Sequence, residues 1–225
     1  MHRVFAAKTI GIFIFVVGFM ALPSKAMAVP VACGGGVDVL SYNDPSVGGC
    51  FVDGLLFSEF AVFQAGGAQE VEVNGVTTSV VGGTVFFNFN PNLDGEGNED
   101  IHFYFKVSSL SGDAIINGVD LQNNGTGDTS IQESVCTVSW LVTFGCASNG
   151  GTVIASLLAG SGEFDQEFFD PRSSAYIFKD ISKDEGGHLT SFTQSFHVPD
   201  GGSTLALLGL SLMGLRAVRQ RFPRR

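Results

Sequence analysis

Basic residues are scarce in the central part of this 225-residue chain. Between residues 29 and 197 there are 21 acidic residues but four basic ones, which gives a net charge of −17. The other eight basic residues lie in the two terminal segments. A segment this acidic is repelled by nucleic acids and by anionic membrane surfaces, so we expect neither as a partner. Its charge is compatible with divalent cations.

Known catalytic motifs are also missing. The sequence has no His-Glu-x-x-His, no Gly-x-Ser-x-Gly and no glycine-rich phosphate-binding loop. His102 and His188 are isolated in sequence, and His197 is the last residue of the central segment. We therefore expect a protein that is not an enzyme. The alternative, a secreted hydrolase, depends on a group of acids interleaved with phenylalanines: Glu163, Asp165, Glu167 and Asp170.

Tryptophan and tyrosine are rare, with one and three residues, whereas phenylalanine and glycine reach 21 and 30. Short apolar segments separated by Asn-Gly and Gly-Gly turns are typical of strands rather than helices. They predict an all-β fold, a jelly-roll-like β-sandwich, in one domain over residues 29–197. The predicted strand regions are 51–63, 70–81, 84–90, 101–108, 115–121, 131–142, 152–158, 175–181 and 189–196.

Two hairpins are predicted among these strands. Asn74-Gly75 lies between two β-rich arms and favours the positive φ angles of a type I′ turn. Residues 84–90 and 101–108 form the second predicted hairpin. Alternation in the latter segment predicts one buried and one solvent-facing set: Ile101, Phe103, Phe105 and Val107 inside, and His102, Tyr104, Lys106 and Ser108 outside.

Residues 1–28 have the three parts of a secretory signal peptide. Arg3 and Lys8 give a positively charged start, and the apolar run over residues 9–22 is short for a membrane span of about 20 residues. Ala26 and Ala28 flank Met27 as a small-x-small cleavage site for signal peptidase. The mature chain is therefore expected to begin at Val29.

The C-terminal segment, residues 198–225, also has three parts. A polar, turn-forming motif precedes an apolar run over residues 205–215, which lies in a predicted single transmembrane helix of about residues 203–218. An arginine-rich tail over residues 216–225 follows, and the positive-inside rule places it in the cytoplasm with the domain outside. The motif consists of Val198, Pro199, Asp200, Gly201, Gly202, Ser203 and Thr204. The predicted stop-transfer residues are Arg216, Arg219, Arg221, Arg224 and Arg225.

This ending resembles the C-terminal sorting signal of the PEP-CTERM class, in its Val-Pro-Asp variant. The resemblance covers residues 198–225, with Pro199-Asp200-Gly201 in place of the common Pro-Glu-Pro core and Gly201 where the variant usually has serine. It implies sorting and C-terminal processing by an exosortase, a membrane-embedded enzyme of Gram-negative bacteria. It also implies an inner-membrane anchor before processing, and a location at the cell surface or outside the cell afterwards.

All four cysteines lie in the predicted exported domain: Cys33, Cys50, Cys136 and Cys146. An even number in an exported chain favours disulfides, here in one of three connectivities. Closeness in sequence and glycine-rich flanks favour the pairs Cys33–Cys50 and Cys136–Cys146. A zinc site at these cysteines is disfavoured, because there is no Cys-x-x-Cys and no histidine cluster near them.

Calcium is the candidate cofactor. Calcium takes six to eight oxygen ligands, and a glycine-containing loop can direct alternate side chains at one ion. The candidate ligands are Asn92, Asp94, Glu96, Asn98 and Asp100. Unlike an EF-hand loop, this stretch begins with asparagine, lacks a glutamate at position 12 and joins two predicted strands. A solvated hairpin loop without an ion is the alternative interpretation.

Together these features predict an exported, non-catalytic surface or extracellular-matrix-associated protein. Signal peptidase and an exosortase-type membrane enzyme are its expected partners. The second hypothesis is a secreted β-sandwich module that binds carbohydrate, such as an exopolysaccharide, or calcium. The secreted hydrolase is the third, and it requires carboxylates that converge in a pocket.

Overall fold

The computed structural model describes most of the predicted domain. The predicted signal peptide, including Ala26 and Ala28, lies outside the described residues, as does everything after Val198. The described residues are 29–34, 38–65, 74–81, 83–91, 93, 96–113, 115–139 and 146–198, without the side chains of residues 64–65 and 74–79.

Twelve strands and two short 3₁₀ helices form in the described part of the chain, which confirms the all-β prediction. The 3₁₀ helices are Val39–Asn43 and Ala147–Asn149. The strands are β1 (Val31–Ala32), β2 (Cys50–Val52), β3 (Leu55–Ala65), β4 (Asn74–Val81), β5 (Thr84–Asn90), β6 (Glu99–Ser109), β7 (Ile116–Asn123), β8 (Thr129–Cys136), β9 (Val153–Gly160), β10 (Phe164–Arg172), β11 (Ser174–Lys183) and β12 (Phe192–His197).

The strands form two sheets, as expected for a β-sandwich. The seven-stranded sheet has the order β1-β2-β3-β6-β11-β8-β9, and the five-stranded sheet has the order β10-β7-β12-β5-β4. Only the β1–β2 pairing is parallel among the described strands. The last strand, β12, therefore lies in the middle of its sheet, between β7 and β5. The jelly-roll type of connection stays a prediction.

The core lies between the sheets and consists mainly of phenylalanine. The predicted inward-facing residues of β6, from Ile101 to Val107, are all buried, which confirms the alternation on that side. The Phe89 and Phe103 rings, from opposite sheets, lie 5.1 Å apart, and those of Phe57 and Phe87 lie 4.0 Å apart. Ring contacts of this kind add to the burial of apolar area, which stabilises by about 1.5–3 kcal/mol per large side chain.

Tyr104 departs from the predicted alternation. It lies on the outer face of β6, yet it is 4% exposed, because the rings of Phe63 and Phe178 cover it at 5.5 and 4.8 Å. Burial raises the pKa of the Tyr104 phenol, and the nearby Asp180 carboxylate adds to this shift. The outer face of the seven-stranded sheet therefore carries a partly buried aromatic patch.

The Asn74-Gly75 hairpin prediction was wrong. Asn74 begins β4 and pairs with Asn90, and a register shift follows between Asn74 and Thr77. The hairpin turn lies after Val81, which faces Thr84, and Gly83 between them has a φ of +76°. Gly83 lies in the turn, and Asn-Gly marks an irregularity in the pairing.

The second predicted hairpin was also wrong. β5 pairs with β4 and β12, whereas β6 pairs with β3 and β11 in the other sheet. The two segments face each other across the core instead of sharing backbone hydrogen bonds. Both segments have buried phenylalanines at alternate positions. Such an apolar face can be buried in two neighbouring strands of one sheet or in two strands of facing sheets, so alternation does not distinguish the two arrangements.

A polar group links the two sheets inside the core. The Lys179 ammonium on β11 donates to the Glu133 carboxylate on β8 and to Gln194 Oε1 on β12, the latter at 2.5 Å. Gln194 Nε2 donates in turn to Glu133 Oε1 at 3.2 Å. All three side chains are fully buried. Burial raises the pKa of the Glu133 carboxyl and lowers the pKa of the Lys179 amine, and their mutual attraction opposes both shifts.

Two disulfides are present, Cys33–Cys50 and Cys136–Cys146, with the pairing that the sequence favours. The first joins the segment after β1 to β2 at the edge of the seven-stranded sheet. The second closes the connection that follows β8. The strand predicted over residues 131–142 ends at Cys136, and residues 140–145 are outside the described ranges.

Candidate functional site

The folded domain continues directly into the predicted sorting motif. His197 is the last residue of β12, and the next residue, Val198, donates its backbone N–H to the Gly83 carbonyl at 2.8 Å. The Val198 side chain packs partly against the core. The first motif residue is thus held on the sheet. Pro199 to Thr204, the apolar run and the stop-transfer arginines lie outside the described residues, and no helix within the described ranges is long and apolar enough to span a membrane.

His197 belongs to a hydrogen-bonded group on the outer face of the five-stranded sheet. Its Nε2 lies 2.7 Å from Asp120 Oδ1, and the Ser195 hydroxyl donates to Asp120 Oδ2 at 2.6 Å. Thr84 Oγ1 lies 3.3 Å from His197 Nδ1. Serine and histidine both bind the same carboxylate, whereas a nucleophilic serine needs a histidine as its own base. The group holds the end of β12 in place.

Glycine at position 118 makes this arrangement possible. A Cβ atom there would lie 2.6 Å from Phe168 Cδ1 and 3.0 Å from His197 Cδ2, closer than such atoms approach. The Phe168 and His197 rings consequently meet over Gly118, with their centroids 4.9 Å apart. The end of the last strand is therefore contacted by Asp120 and Thr84 from its two neighbours, β7 and β5, and by Phe168 from β10 beyond β7.

The acids that suggested a hydrolase lie on β10, a strand that the sequence did not predict, except for Glu163, which immediately precedes it. Three of them accept hydrogen bonds from backbone N–H groups of β9, the edge strand of the other sheet. The contacts are Glu163 Oε2 to Gly160 N at 2.9 Å, Asp165 Oδ2 to Leu158 N at 2.9 Å and Glu167 Oε2 to Ser156 N at 2.6 Å. We call these three side chains the carboxylate row. Each carboxylate is bound to a separate amide, while Asp170 is exposed.

The described residues of the predicted calcium loop have different partners. Glu96 is exposed, and Asn98 Oδ1 accepts from the Glu185 backbone N–H at 3.1 Å. The Lys183 ammonium donates to the Gly97 carbonyl at 2.7 Å, which places a positive charge in this loop. Asn92 and Asp94 lie outside the described residues, so calcium binding there stays a prediction.

Asp100, the fifth predicted ligand, lies with His102 and Asp180 on the outer face of the seven-stranded sheet. His102 on β6 is directly opposite Asp180 on β11. His102 Nε2 is 3.8 Å from Asp100 Oδ1 and 3.7 Å from Asp180 Oδ1, and one ligand atom from each residue lies within 4.8 Å of the others. Burial raises the pKa of the Asp180 carboxyl; the adjacent Asp100 carboxylate adds to the shift and His102 opposes it.

The sequence did not reveal this cluster. The sequence places Asp100 in the loop before β6 and His102 among isolated, solvent-facing residues. Asp180 lies far along the chain, and only the pairing of β6 with β11 brings it to His102. A hypothesis for that pairing would have been needed to find the group.

Comparison with known proteins identifies the C-terminal segment. Residues 197–222 match the model of the VPDSG-CTERM motif family, which confirms the resemblance to an exosortase sorting-signal variant. Such a signal indicates export and a membrane-anchored precursor. No curated protein matches the chain by sequence.

Several solved structures show a remote similarity. TmCBM61, solved with beta-1,4-galactotriose, is 13% identical, with 60% of this chain and 87% of that chain covered and a TM-score of 0.33. A family 29 carbohydrate-binding module is 12% identical over 62% and 75%, with a TM-score of 0.24. The family 11 module of the Clostridium thermocellum cellulase Lic26A-Cel5E is 11% identical over 75% and 96%, with a TM-score of 0.27. At these TM-scores the similarities carry no argument about ligands.

Proposed function

Because the chain carries a VPDSG-CTERM motif at residues 197–222, we propose that it is an exported surface or extracellular-matrix-associated protein that an exosortase-type enzyme sorts and processes. Signal peptidase removes residues 1–28. The helix of residues 203–218 then holds the precursor in the inner membrane, with the sandwich outside and the arginine-rich tail in the cytoplasm. Processing releases the domain from this anchor to the cell surface or the extracellular matrix.

The position of Val198 supports this proposal. Its hydrogen bond to the Gly83 carbonyl fixes the start of the motif at the end of a central strand. Pro199 lacks a backbone donor, and Gly201 and Gly202 have low helix propensity, so this stretch favours an extended backbone before the apolar run. The processing enzyme then meets an extended substrate between the folded domain and the membrane surface.

We also propose that the domain acts without catalysis. Three of the four acids that suggested a hydrolase, Glu163, Asp165 and Glu167, accept from backbone amides of β9. Ser195 and His197 both bind Asp120. A hydrolase needs an acid, a base or a nucleophile that is free to react, whereas these side chains are engaged in hydrogen bonds that stabilise the fold.

A second candidate function, polysaccharide binding, is favoured by two exposed aromatic rings. Phe164 and Phe168 lie on one face of β10 and are 58% and 59% exposed, with the exposed Gln166 between them. Flat apolar rings flanked by amide groups suit the apolar face of a sugar ring. In affinity gel electrophoresis with host exopolysaccharide, the Phe164→Ala/Phe168→Ala variant should lose retardation. Phe51→Ala, at a ring that is 40% exposed elsewhere, is the matched control.

Intact mass spectrometry of the protein from its native host tests the main proposal. We expect a chain that begins at Val29 and lacks the apolar run and the arginine-rich tail. The Pro199→Ala/Asp200→Ala variant should accumulate as the longer, membrane-bound form, as should the wild-type chain in cells without the processing enzyme. Asp184→Ala, in an exposed turn, is the control and should be processed normally. Full-length wild-type protein in cells that contain the enzyme would contradict the proposal.

A further inference from the structure

We propose that Asp100, His102 and Asp180 bind a divalent first-row transition metal ion, for which Zn²⁺ is the probe. The site lies on the outer face of the seven-stranded sheet, on neighbouring strands β6 and β11. It shares Asp100 with the predicted calcium loop but uses different partners and a different class of ion. It includes no residue of the sorting motif.

The distances within the cluster fit a shared ion better than hydrogen bonds. His102 Nε2 lies 3.8 and 3.7 Å from the two carboxylate oxygens, beyond the usual N–H···O range of about 2.7–3.2 Å. Ligand atoms about 2.1 Å from one ion, at a tetrahedral angle, lie about 3.4 Å apart. The pair His197 and Asp120, by contrast, is 2.7 Å apart and hydrogen-bonded.

The Asp100 carboxylate gives a second, independent observation. Its Oδ1 atom is shielded from solvent and has no hydrogen-bond partner within the described ranges. A shielded carboxylate oxygen without a donor is unfavourable. The Asp180 carboxylate lies in the same cluster, with its ligand atom within 4.8 Å of those of Asp100 and His102, and two like charges so close repel each other. A metal ion bound between them would satisfy the oxygen and remove the repulsion.

The strands hold the three ligands in fixed positions. β6 is hydrogen-bonded to β3 on one side and to β11 on the other. Asp100 and His102 are two residues apart on one strand and therefore face the same side, and Asp180 lies opposite His102. The Phe178 ring packs 5.5 Å from the His102 ring. Ligands on paired strands lose little freedom when an ion binds.

The ligand set decides the class of ion. One imidazole nitrogen and two carboxylate oxygens suit zinc and similar divalent ions, whereas calcium takes six to eight oxygens. The side chains of His102, Asp100 and Asp180 are 25%, 45% and 41% exposed, so the cluster is open to solvent although Asp100 Oδ1 itself is shielded. Three protein ligands leave at least one coordination position for water or an external oxygen donor.

Calorimetric titration of the full chain with Zn²⁺ tests this site. The protein is purified in mild detergent with a tag that contains no histidine, then stripped with EDTA and dialysed. We expect one Zn²⁺ per chain, no calcium binding at this cluster, and at least tenfold weaker Zn²⁺ binding in His102→Gln and in Asp180→Asn. His188→Gln removes an exposed histidine elsewhere and should bind Zn²⁺ as the wild type does.

Visible absorption of bound Co²⁺ provides a second readout at the ligands themselves. We expect the wild type and His188→Gln to give the same spectrum, and His102→Gln to lose it. Circular dichroism establishes that each variant is folded, and Asp180→Asn supplies the test should His102→Gln fail to fold. Absence of Zn²⁺ binding by the wild type, or wild-type affinity in a folded His102→Gln or Asp180→Asn variant, would overturn the proposal.

Discussion

The backbone N–H of Leu158 donates to Asp165 Oδ2 at 2.9 Å, from the edge of one sheet to a side chain of the other. The same contact recurs two residues away in each direction, with Glu163 and Glu167 as acceptors. Three N–H groups of β9 that point away from its partner strand β8, those of Ser156, Leu158 and Gly160, therefore have acceptors. Unpaired edge N–H groups are templates for pairing with another chain, and the carboxylate row occupies these.

Removing the carboxylate row should open this edge. We expect Asp165→Ala to increase the hydrogen-exchange rate of the Leu158 amide, because its acceptor is lost. The free energy of unfolding should fall by about 0.5–1.5 kcal/mol for each of the two hydrogen bonds that the carboxylate accepts, from the Leu158 and Gln166 amides. The variant Glu163→Gln/Asp165→Asn/Glu167→Gln should form concentration-dependent oligomers, because neutral amides bind backbone donors less strongly than carboxylates. Size-exclusion chromatography with light scattering measures this.

A charge-matched control separates edge protection from net charge. Asp113→Asn/Asp170→Asn/Asp184→Asn removes the same number of charges from exposed positions away from the β9 edge. It should remain monomeric at concentrations where the carboxylate-row variant associates. Equal behaviour of the two variants would show that the row does not protect the edge.

Breaking the buried group on one side should destabilise the domain strongly. Lys179→Met leaves the Glu133 carboxylate buried without its counter-charge, which costs about 3–5 kcal/mol. The double variant Lys179→Met/Glu133→Leu removes both charges and should recover most of that loss. Urea unfolding at neutral pH gives the three free energies.

Lys106→Met is the matched control for this experiment. Lys106 pairs with Glu59 at 3.1 Å, but the two side chains are 26% and 40% exposed. Its loss should cost about 1 kcal/mol or less, since solvent screens such pairs. A Lys179→Met variant as stable as Lys106→Met would mean that the buried group contributes little.

The position of β12 predicts where the chain can be shortened. A chain that ends after Val198 keeps the central strand and should unfold cooperatively, with the thermal midpoint of the processed protein. A chain that ends after Ser191 lacks β12, which leaves β5 and β7 without the strand between them, and it should show no cooperative transition. Differential scanning calorimetry compares the two, and equal transitions would contradict the role given to β12.

The sequence predicted the fold class well where strands have an apolar and a polar side. Alternation in β6 identified the buried face from Ile101 to Val107. β10 does not show the usual pattern, because its inward-facing acids bind the edge of β9 instead of packing in the core, and Phe164 and Phe168 face outward. The two hairpins failed because local turn signals do not determine which strands pair across the sandwich.

Site residues that are close together in sequence could be predicted, whereas those that come from distant strands could not. The sorting motif is contiguous, so composition and order were sufficient to recognise it. The two disulfides join cysteines that are near in sequence, which made their pairing predictable. The Asp100, His102 and Asp180 cluster depends on pairing between distant strands, and nothing local to Asp180 indicates its neighbours.

The few lysines of this domain do little to balance its outer charge. Lys179 and Lys183 are 0% and 1% exposed, and Lys106 is paired with Glu59. The exposed charges in the described part of the domain are therefore mostly carboxylates. Copies displayed side by side repel one another over about 8–10 Å in physiological salt. Crowding into a dense coat consequently requires counter-ions, so the spacing of the protein at a surface depends on the salt around the cell.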